Sequence, residues 1–113
     1  MVTEAEQTTK ASEYQLGQMS DRIVEQFRPE QVFLIGGRVT GQGEWVEVEL
    51  LVILPGQWDY REKSSEIQEA LVGSGIGKFI HLSTPALLKE RSELGGSMEH
   101  SALCEGRVLY ERR

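Results

Sequence analysis

The sequence predicts one α/β domain built on a small mixed β-sheet, with its helices mainly on one face. The length of 113 residues suits a single domain with one core and is too short for two. Apolar residues recur at helical spacing near the start of the chain, whereas residues 46–54 form the strongest strand pattern. Glycine and proline separate these segments, and the predicted order of elements is α-β-β-α-β-α-α-β.

The start of the chain is predicted to hold a tail followed by one helix. Residues 1–13 are polar and predict a disordered tail, so the domain is predicted to span residues 14–113. The helix is predicted from apolar residues at helical spacing, namely Leu16, Met19, Ile23 and Phe27. Pro29 disfavours further helix in the residue before it, so the helix is predicted to end near Phe27.

Two strands are predicted next. Residues 31–35 are rich in β-prone residues, and the Gly36-Gly37 pair is predicted to end this strand. The second strand covers residues 46–54, because Pro55-Gly56 stops it.

The second half of the chain predicts three helices and two strands. A helix over residues 60–72 and a strand over residues 78–83 are separated by a glycine-rich loop. Thr84 is predicted to cap the next helix, whose apolar side includes Leu94. Ser97 is predicted to cap a further short helix that runs through residue 104. Residues 107–110 are predicted to add a final short strand.

Charge and cysteine content exclude several classes of function. The chain has 12 basic and 18 acidic residues and a net charge of -6, which disfavours binding to nucleic acid and to anionic membrane surfaces. A small ligand or a protein partner is expected instead. The lone Cys104 cannot form an intrachain disulfide, no signal-peptide pattern is present, and the longest apolar run is too short for a membrane span. We therefore expect a cytoplasmic protein with no membrane contact.

Glu47 and Glu49 are the candidate catalytic and metal-binding residues. They lie two positions apart on a predicted strand, so their side chains should share a face. Two acids on one face can hold a divalent cation and a triphosphate. A glycine-rich segment precedes them and supplies the candidate nucleotide-binding residues, which are Gly36, Gly37, Arg38 and Gly41.

A simpler interpretation of the same residues stays open. Glu47 and Glu49 also suit the polar half of an alternating strand in a β-hairpin, with residues 41–44 as the turn. Trp45 and Trp58 flank this strand and are expected to pack. His81 has no partner at metal-ligand spacing, and Cys104 is expected to be a small buried apolar residue.

Four phrases of the chain, in order, resemble the minimal nucleotidyltransferases of the polymerase-β-like nucleotidyltransferase superfamily. Residues 27–37 are similar to the family phrase F-R-P-E-x-V-x-L-F-G-S, and residues 36–41 are similar to its turn G-S-x-A-x-G. Residues 46–52 stand where the family has S-D-x-D-L-L-V, and residues 102–110 are similar to its closing A-L-x-E-G-x-x-L-Y. The resemblance covers roughly residues 20–112 and implies a nucleotidyltransferase-like fold.

The resemblance also implies roles that this chain fills only in part. In the family, the turn's serine and backbone amides hold phosphates, paired aspartates bind two metal ions, and a third carboxylate on a later strand helps to activate the acceptor. Here Gly37 replaces the serine, and Glu47 and Glu49 replace the aspartates. The place of the third carboxylate falls near Phe79, and no Asp or Glu stands between residues 73 and 85. These departures predict a degenerate site with weak activity or none.

By resemblance, the expected function is partner binding. Minimal nucleotidyltransferases are frequently paired with a HEPN-domain protein, as antitoxin or as subunit of a two-component nucleotidyltransferase, and a homodimer is the other option. The alternative is an active enzyme that uses Glu47 and Glu49 with Mg²⁺ or Mn²⁺ to move AMP from ATP to a protein hydroxyl. A third hypothesis is a sensor that binds nucleotide without chemistry.

Overall fold

The computed structural model describes residues 8–113, and residues 1–7 lie outside that description. The described elements follow the predicted order, and their bounds are α1 Lys10–Phe27, β1 Gln31–Val39, β2 Trp45–Ile53, α2 Tyr60–Ala70, β3 Gly77–Ser83, α3 Pro85–Glu90, α4 Met98–Glu105 and β4 Arg107–Glu111. None of the described helices is long and apolar enough to cross a membrane.

The strands form one mixed sheet of four strands in the order β3-β2-β1-β4. β1 runs antiparallel to both β2 and β4, whereas β2 and β3 are parallel. The predicted class, α/β with a small mixed sheet, is therefore confirmed. β2 is central and buried on most of its length, which explains its long apolar run.

The main core lies between one face of the sheet and the two longer helices, α1 and α2. Its buried side chains come from both helices and from alternate positions of three strands, and they include Leu16, Ile23, Val32, Leu50, Val52, Ile67 and Leu82. A smaller core on the opposite face joins Phe33, Leu51 and Ile53 to Ala102 of α4, with Leu88 of α3 packed against it. The prediction of helices mainly on one face thus holds for the long helices, while α3 and α4 cover part of the other.

A buried polar pair attaches α4 to the sheet. Ser83, at the end of β3, donates a hydrogen bond of 2.6 Å to the Glu99 carboxylate, and both side chains are buried. Arg91 lies 3.8 Å from the same carboxylate. Ser97 caps α4 and Thr84 caps α3, as the sequence predicts.

Side chains of α2 also bind the outer side of β3. The Tyr60 hydroxyl accepts a hydrogen bond of 3.2 Å from the Leu82 backbone N–H. The Gln68 amide donates one of 3.3 Å to the Lys78 carbonyl. These contacts hold α2 against the edge strand.

The first helix begins earlier than predicted. Thr9 caps α1 by accepting a hydrogen bond from the Ser12 N–H, and Ser12 is buried. The Ser12 hydroxyl in turn accepts a hydrogen bond of 2.7 Å from the Trp45 backbone N–H. The prediction of a disordered tail over residues 1–13 is therefore wrong for residues 9–13, and its residues 1–7 lie outside the described chain.

The first strand continues through the glycine pair that was expected to end it. β1 extends to Val39, with a register shift between Leu34 and Gly36 where it pairs with β2. The chain reverses between Thr40 and Glu44, where the Thr40 N–H donates a hydrogen bond of 2.8 Å to the Glu44 carbonyl. The hairpin interpretation therefore describes the geometry of this region.

Two side chains near the end of the chain are placed differently from the prediction. α3 ends at Glu90, so Leu94 lies beyond the helix and is exposed. Cys104 was expected to be buried and is exposed. Cys104 lies two positions after Ala102, which packs against the sheet, so the two side chains project from different sides of α4.

Candidate functional site

The candidate site lies on the half of the sheet face that α3 and α4 leave open. The first three strands each contribute to a shallow cavity of about 360 Å³, which we call the sheet cavity. Its lining residues are Gly37, Arg38, Glu47, Val48, Glu49 and Phe79. The three strands are adjacent in one hydrogen-bonded sheet, which forms the floor of the cavity.

Glu47 is paired with a guanidinium across the hairpin. Arg38 and Glu47 are direct partners in the β1–β2 register, and Arg38 Nη2 lies 3.2 Å from Glu47 Oε1. Both side chains are partly exposed, so solvent weakens this ion pair. Glu47 nevertheless already has a positive partner from its own chain.

Glu49 reaches across the sheet to an imidazole. Its Oε2 accepts a hydrogen bond of 2.7 Å from His81 Nε2 on β3. Its Oε1 lies over Gly36, where an added Cβ would come within 2.9 Å of that oxygen. Gly36 thus leaves room for the Glu49 carboxylate.

Sequence reasoning assigned no role to His81, although the strand pattern contained a signal. His81 alternates with Ile80 and Leu82, which belong to the main core. That alternation sends His81 to the opposite face, which is the face of Glu47 and Glu49. What the sequence does not give is the parallel register that brings β3 beside β2.

Phe79 occupies the part of the cavity where the resemblance expects a third carboxylate. It is the direct partner of Glu49 in the β2–β3 register, and the residue is 54% exposed. A phenyl ring can neither accept a proton nor bind a metal ion. The cavity therefore contains an aromatic ring near the position at which the resemblance predicts an acid.

The donor set does not match a two-metal site. Among residues 8–113, no group of three or more His, Cys, Asp or Glu side chains is placed to hold a metal ion. Glu47 and Glu49 are the acids that border the cavity, and each contacts a basic side chain. Magnesium needs near-octahedral oxygen ligands, and two separately engaged carboxylates supply few of them.

The candidate nucleotide-binding residues do not form a phosphate-binding turn. Gly36 and Gly37 pair with Glu49 and Val48 as parts of an extended strand. Gly41 lies in the hairpin turn and does not line the cavity. Of the four candidates, Gly37 and Arg38 border the cavity, while Gly36 lies beneath Glu49.

Close packing explains why position 37 carries no side chain. A Cβ at Gly37 would lie 2.7 Å from the Trp45 ring and 2.8 Å from the Glu47 carbonyl oxygen. Trp45 is buried in the main core, as expected for a packing residue, so its ring has little freedom to move. The family's serine does not fit at this position without rearrangement of the hairpin.

Comparison of the chain with protein-family models, with curated proteins and with solved structures finds no match.

Proposed function

We propose that this chain is a nucleotidyltransferase-like domain that has lost catalysis and acts by binding a protein partner. The observation that supports the proposal is the state of the sheet cavity. Glu47 and Glu49 are paired with Arg38 and His81, and Phe79 stands near the expected place of the third carboxylate. The four phrases described above supply the link to the family.

The chemistry of phosphoryl transfer explains why these changes matter. The transfer depends on positioning and on neutralisation of charge by metal ions. A positioned general base typically adds ~10²–10⁴-fold to the rate. A cavity that lacks the third acid and the phosphate-binding turn loses both contributions, so its remaining use is recognition.

The nature of the partner follows from the same proposal. The resemblance favours a HEPN-domain protein, with this chain as an antitoxin-like or non-catalytic subunit in the cytoplasm, and a homodimer is the alternative assembly. The net charge of -6 suits a partner with a basic surface, because complementary potentials speed association and suppress wrong partners.

One observation favours a second function, an active metal-dependent nucleotidyltransferase. Two carboxylates and an arginine border one cavity, and its volume of about 360 Å³ falls within the range of small-ligand sites. In that case Glu47 and Glu49 would bind Mg²⁺ or Mn²⁺ with ATP, after release of Arg38 and His81. A nucleotide sensor would use the same residues without chemistry.

Incubation with ATP labelled at the α-phosphate separates these functions. The full chain is mixed with Mg²⁺ or Mn²⁺, with and without a HEPN-domain protein, and label on protein is measured. We expect no transfer, and we expect calorimetry to detect no ATP binding. Label transfer that disappears in Glu47→Gln or Glu49→Gln would overturn the proposal, and ATP binding without transfer would favour the sensor. Glu69→Gln, an exposed acid on α2, serves as the matched control.

A further inference from the structure

The open half of the sheet face combines an exposed aromatic ring with acidic side chains. Phe79 is 54% exposed and borders the same cavity as Glu47 and Glu49. Among the residues that line the cavity, two carboxylates face the single guanidinium of Arg38, so acidic groups outnumber basic ones there. Isolated exposed apolar residues are common, but this ring lies inside a concave site with acids beside it.

We propose that the sheet cavity is the docking site for an arginine side chain of the protein partner. A planar guanidinium can stack on the Phe79 ring while its N–H groups bind a carboxylate, which is the pairing that arginine makes better than lysine. This inference rests on the proposed function, because it identifies what the partner presents to the degenerate site.

The ion pair between Arg38 and Glu47 does not block such a ligand. Arg38 and Glu47 have side chains 59% and 34% exposed, and ion pairs of this kind are weak in water. A partner arginine can therefore replace Arg38 at Glu47 or share the carboxylate with it. Because Gly36 has no side chain, the Glu49 carboxylate can lie close to the β1 backbone. The solvent side of that carboxylate then stays open to a ligand.

The cavity also determines what kind of residue lies next to that arginine in the partner. The cavity volume of about 360 Å³ lies near the lower end of ligand-site volumes, which leaves room beside a guanidinium for part of a second side chain. The exposed ring of Phe79 then favours an apolar neighbour, because burial of its remaining surface excludes water from the guanidinium–carboxylate contact. The partner segment is therefore an arginine next to an apolar residue.

A titration of the ¹⁵N-labelled full chain with a small peptide tests the inference. The probe is N-acetyl-leucyl-arginine amide, and N-acetyl-leucyl-glutamine amide is the neutral control. We expect saturable shifts of the amides of Arg38, Glu47, Glu49 and Phe79 with the arginine peptide only. Equal shifts with the glutamine peptide, or shifts elsewhere in the chain, would overturn the inference.

Variants show whether the named side chains bind the probe. Phe79→Ser and the double variant Glu47→Gln/Glu49→Gln change exposed or half-exposed side chains, and each is expected to weaken binding ~10-fold or more. Glu69→Gln on the opposite side of the sheet should bind as the native chain does. Undiminished binding in the first two variants would contradict the inference.

The outcomes distinguish this inference from the proposed function. If the arginine peptide does not bind and ATP is neither bound nor transferred, the docking site is wrong while partner binding stands. If label from ATP is transferred, the proposed function itself is wrong. Shifts of the same amides that depend on protein concentration, without peptide, would assign the face to a second copy of the chain and overturn the inference.

Discussion

The ring of Trp45 fills the space beside Gly37 that any side chain at that position would need. The distance from an added Cβ to the ring would be 2.7 Å, which is closer than real Cβ atoms approach their neighbours. The absence of a side chain at position 37 therefore depends on the position of the buried Trp45 ring. The Trp45 backbone N–H also donates a hydrogen bond to the Ser12 hydroxyl, which joins the hairpin to α1.

Gly37→Ser is expected to destabilise the fold and to confer no transferase activity. Overpacking of this kind typically costs ~1–3 kcal/mol, which urea unfolding can measure. Gly41→Ser is the matched control, because a Cβ at Gly41 meets no atom within 4 Å. Equal stability of the two variants would show that the Trp45 ring moves aside easily.

Phe79→Asp is expected to add a third acid to the cavity without producing an enzyme. The added carboxylate would lie opposite Glu49 in the register, but the extended Gly36-Gly37 segment would still offer no phosphate-binding turn. Phe79→Asn is the neutral control of similar shape to Asp. Transfer of α-labelled AMP by the Asp variant alone would show that the rest of the machinery is intact, against the proposed function.

The ion pair between Glu13 and Arg107 makes the stability of the fold depend on pH. The hydrogen bonds from the Arg107 guanidinium lower the pKa of the Glu13 carboxyl below its ordinary value of 4.5, although partial burial opposes this shift. Ionised Glu13 therefore stabilises the folded state above pH 4.5, and this contribution is lost as the pH falls through the lowered pKa.

Thermal unfolding of the native chain and of Glu13→Gln from pH 7 to pH 3 measures this contribution. The difference in stability between the two proteins is expected to be constant above the ordinary pKa and to shrink below it. Glu69→Gln should show no such change of difference. A constant difference across the whole range would exclude the ion pair as its source.

Ser83→Ala is expected to loosen α4 by leaving Glu99 without its closest donor. Glu99 is 5% exposed, and Arg91 at 3.8 Å is too distant to replace a hydrogen bond of 2.6 Å. An unsatisfied buried polar group costs ~1–3 kcal/mol, and more when it is charged. Urea unfolding gives the loss, and Ser65→Ala at an exposed position of α2 is the control. A loss no larger than that of the control would mean that Glu99 finds another donor.

The order of elements could be predicted from the sequence because local signals determine it. Pro29 ends α1, Pro55-Gly56 follows β2, and Thr84 and Ser97 cap their helices through contacts within three residues. These signals depend on neighbouring residues along the chain, so a single sequence contains them.

Two of the errors, at the start of α1 and at the end of β1, fall where distant partners decide the structure. α1 begins early because Ser12 binds Trp45, which is 33 positions away. β1 passes through its glycines because β2 pairs with them and covers them with Glu49 and Trp45. In the candidate site, the shared face of the two acids follows from strand periodicity, whereas their engagement by Arg38 and His81 depends on the register of the sheet.

The hydrogen bonds from Tyr60 and Gln68 to β3 have a consequence for how another protein can approach. They occupy the Leu82 N–H and the Lys78 carbonyl, two of the outward groups that an incoming β-strand would have to pair with. Extension of the sheet on that side would first require α2 to release both contacts. A binding partner that leaves α2 in place therefore does not add a strand to the β3 edge. At this part of the molecule it contacts side chains on the face of the sheet.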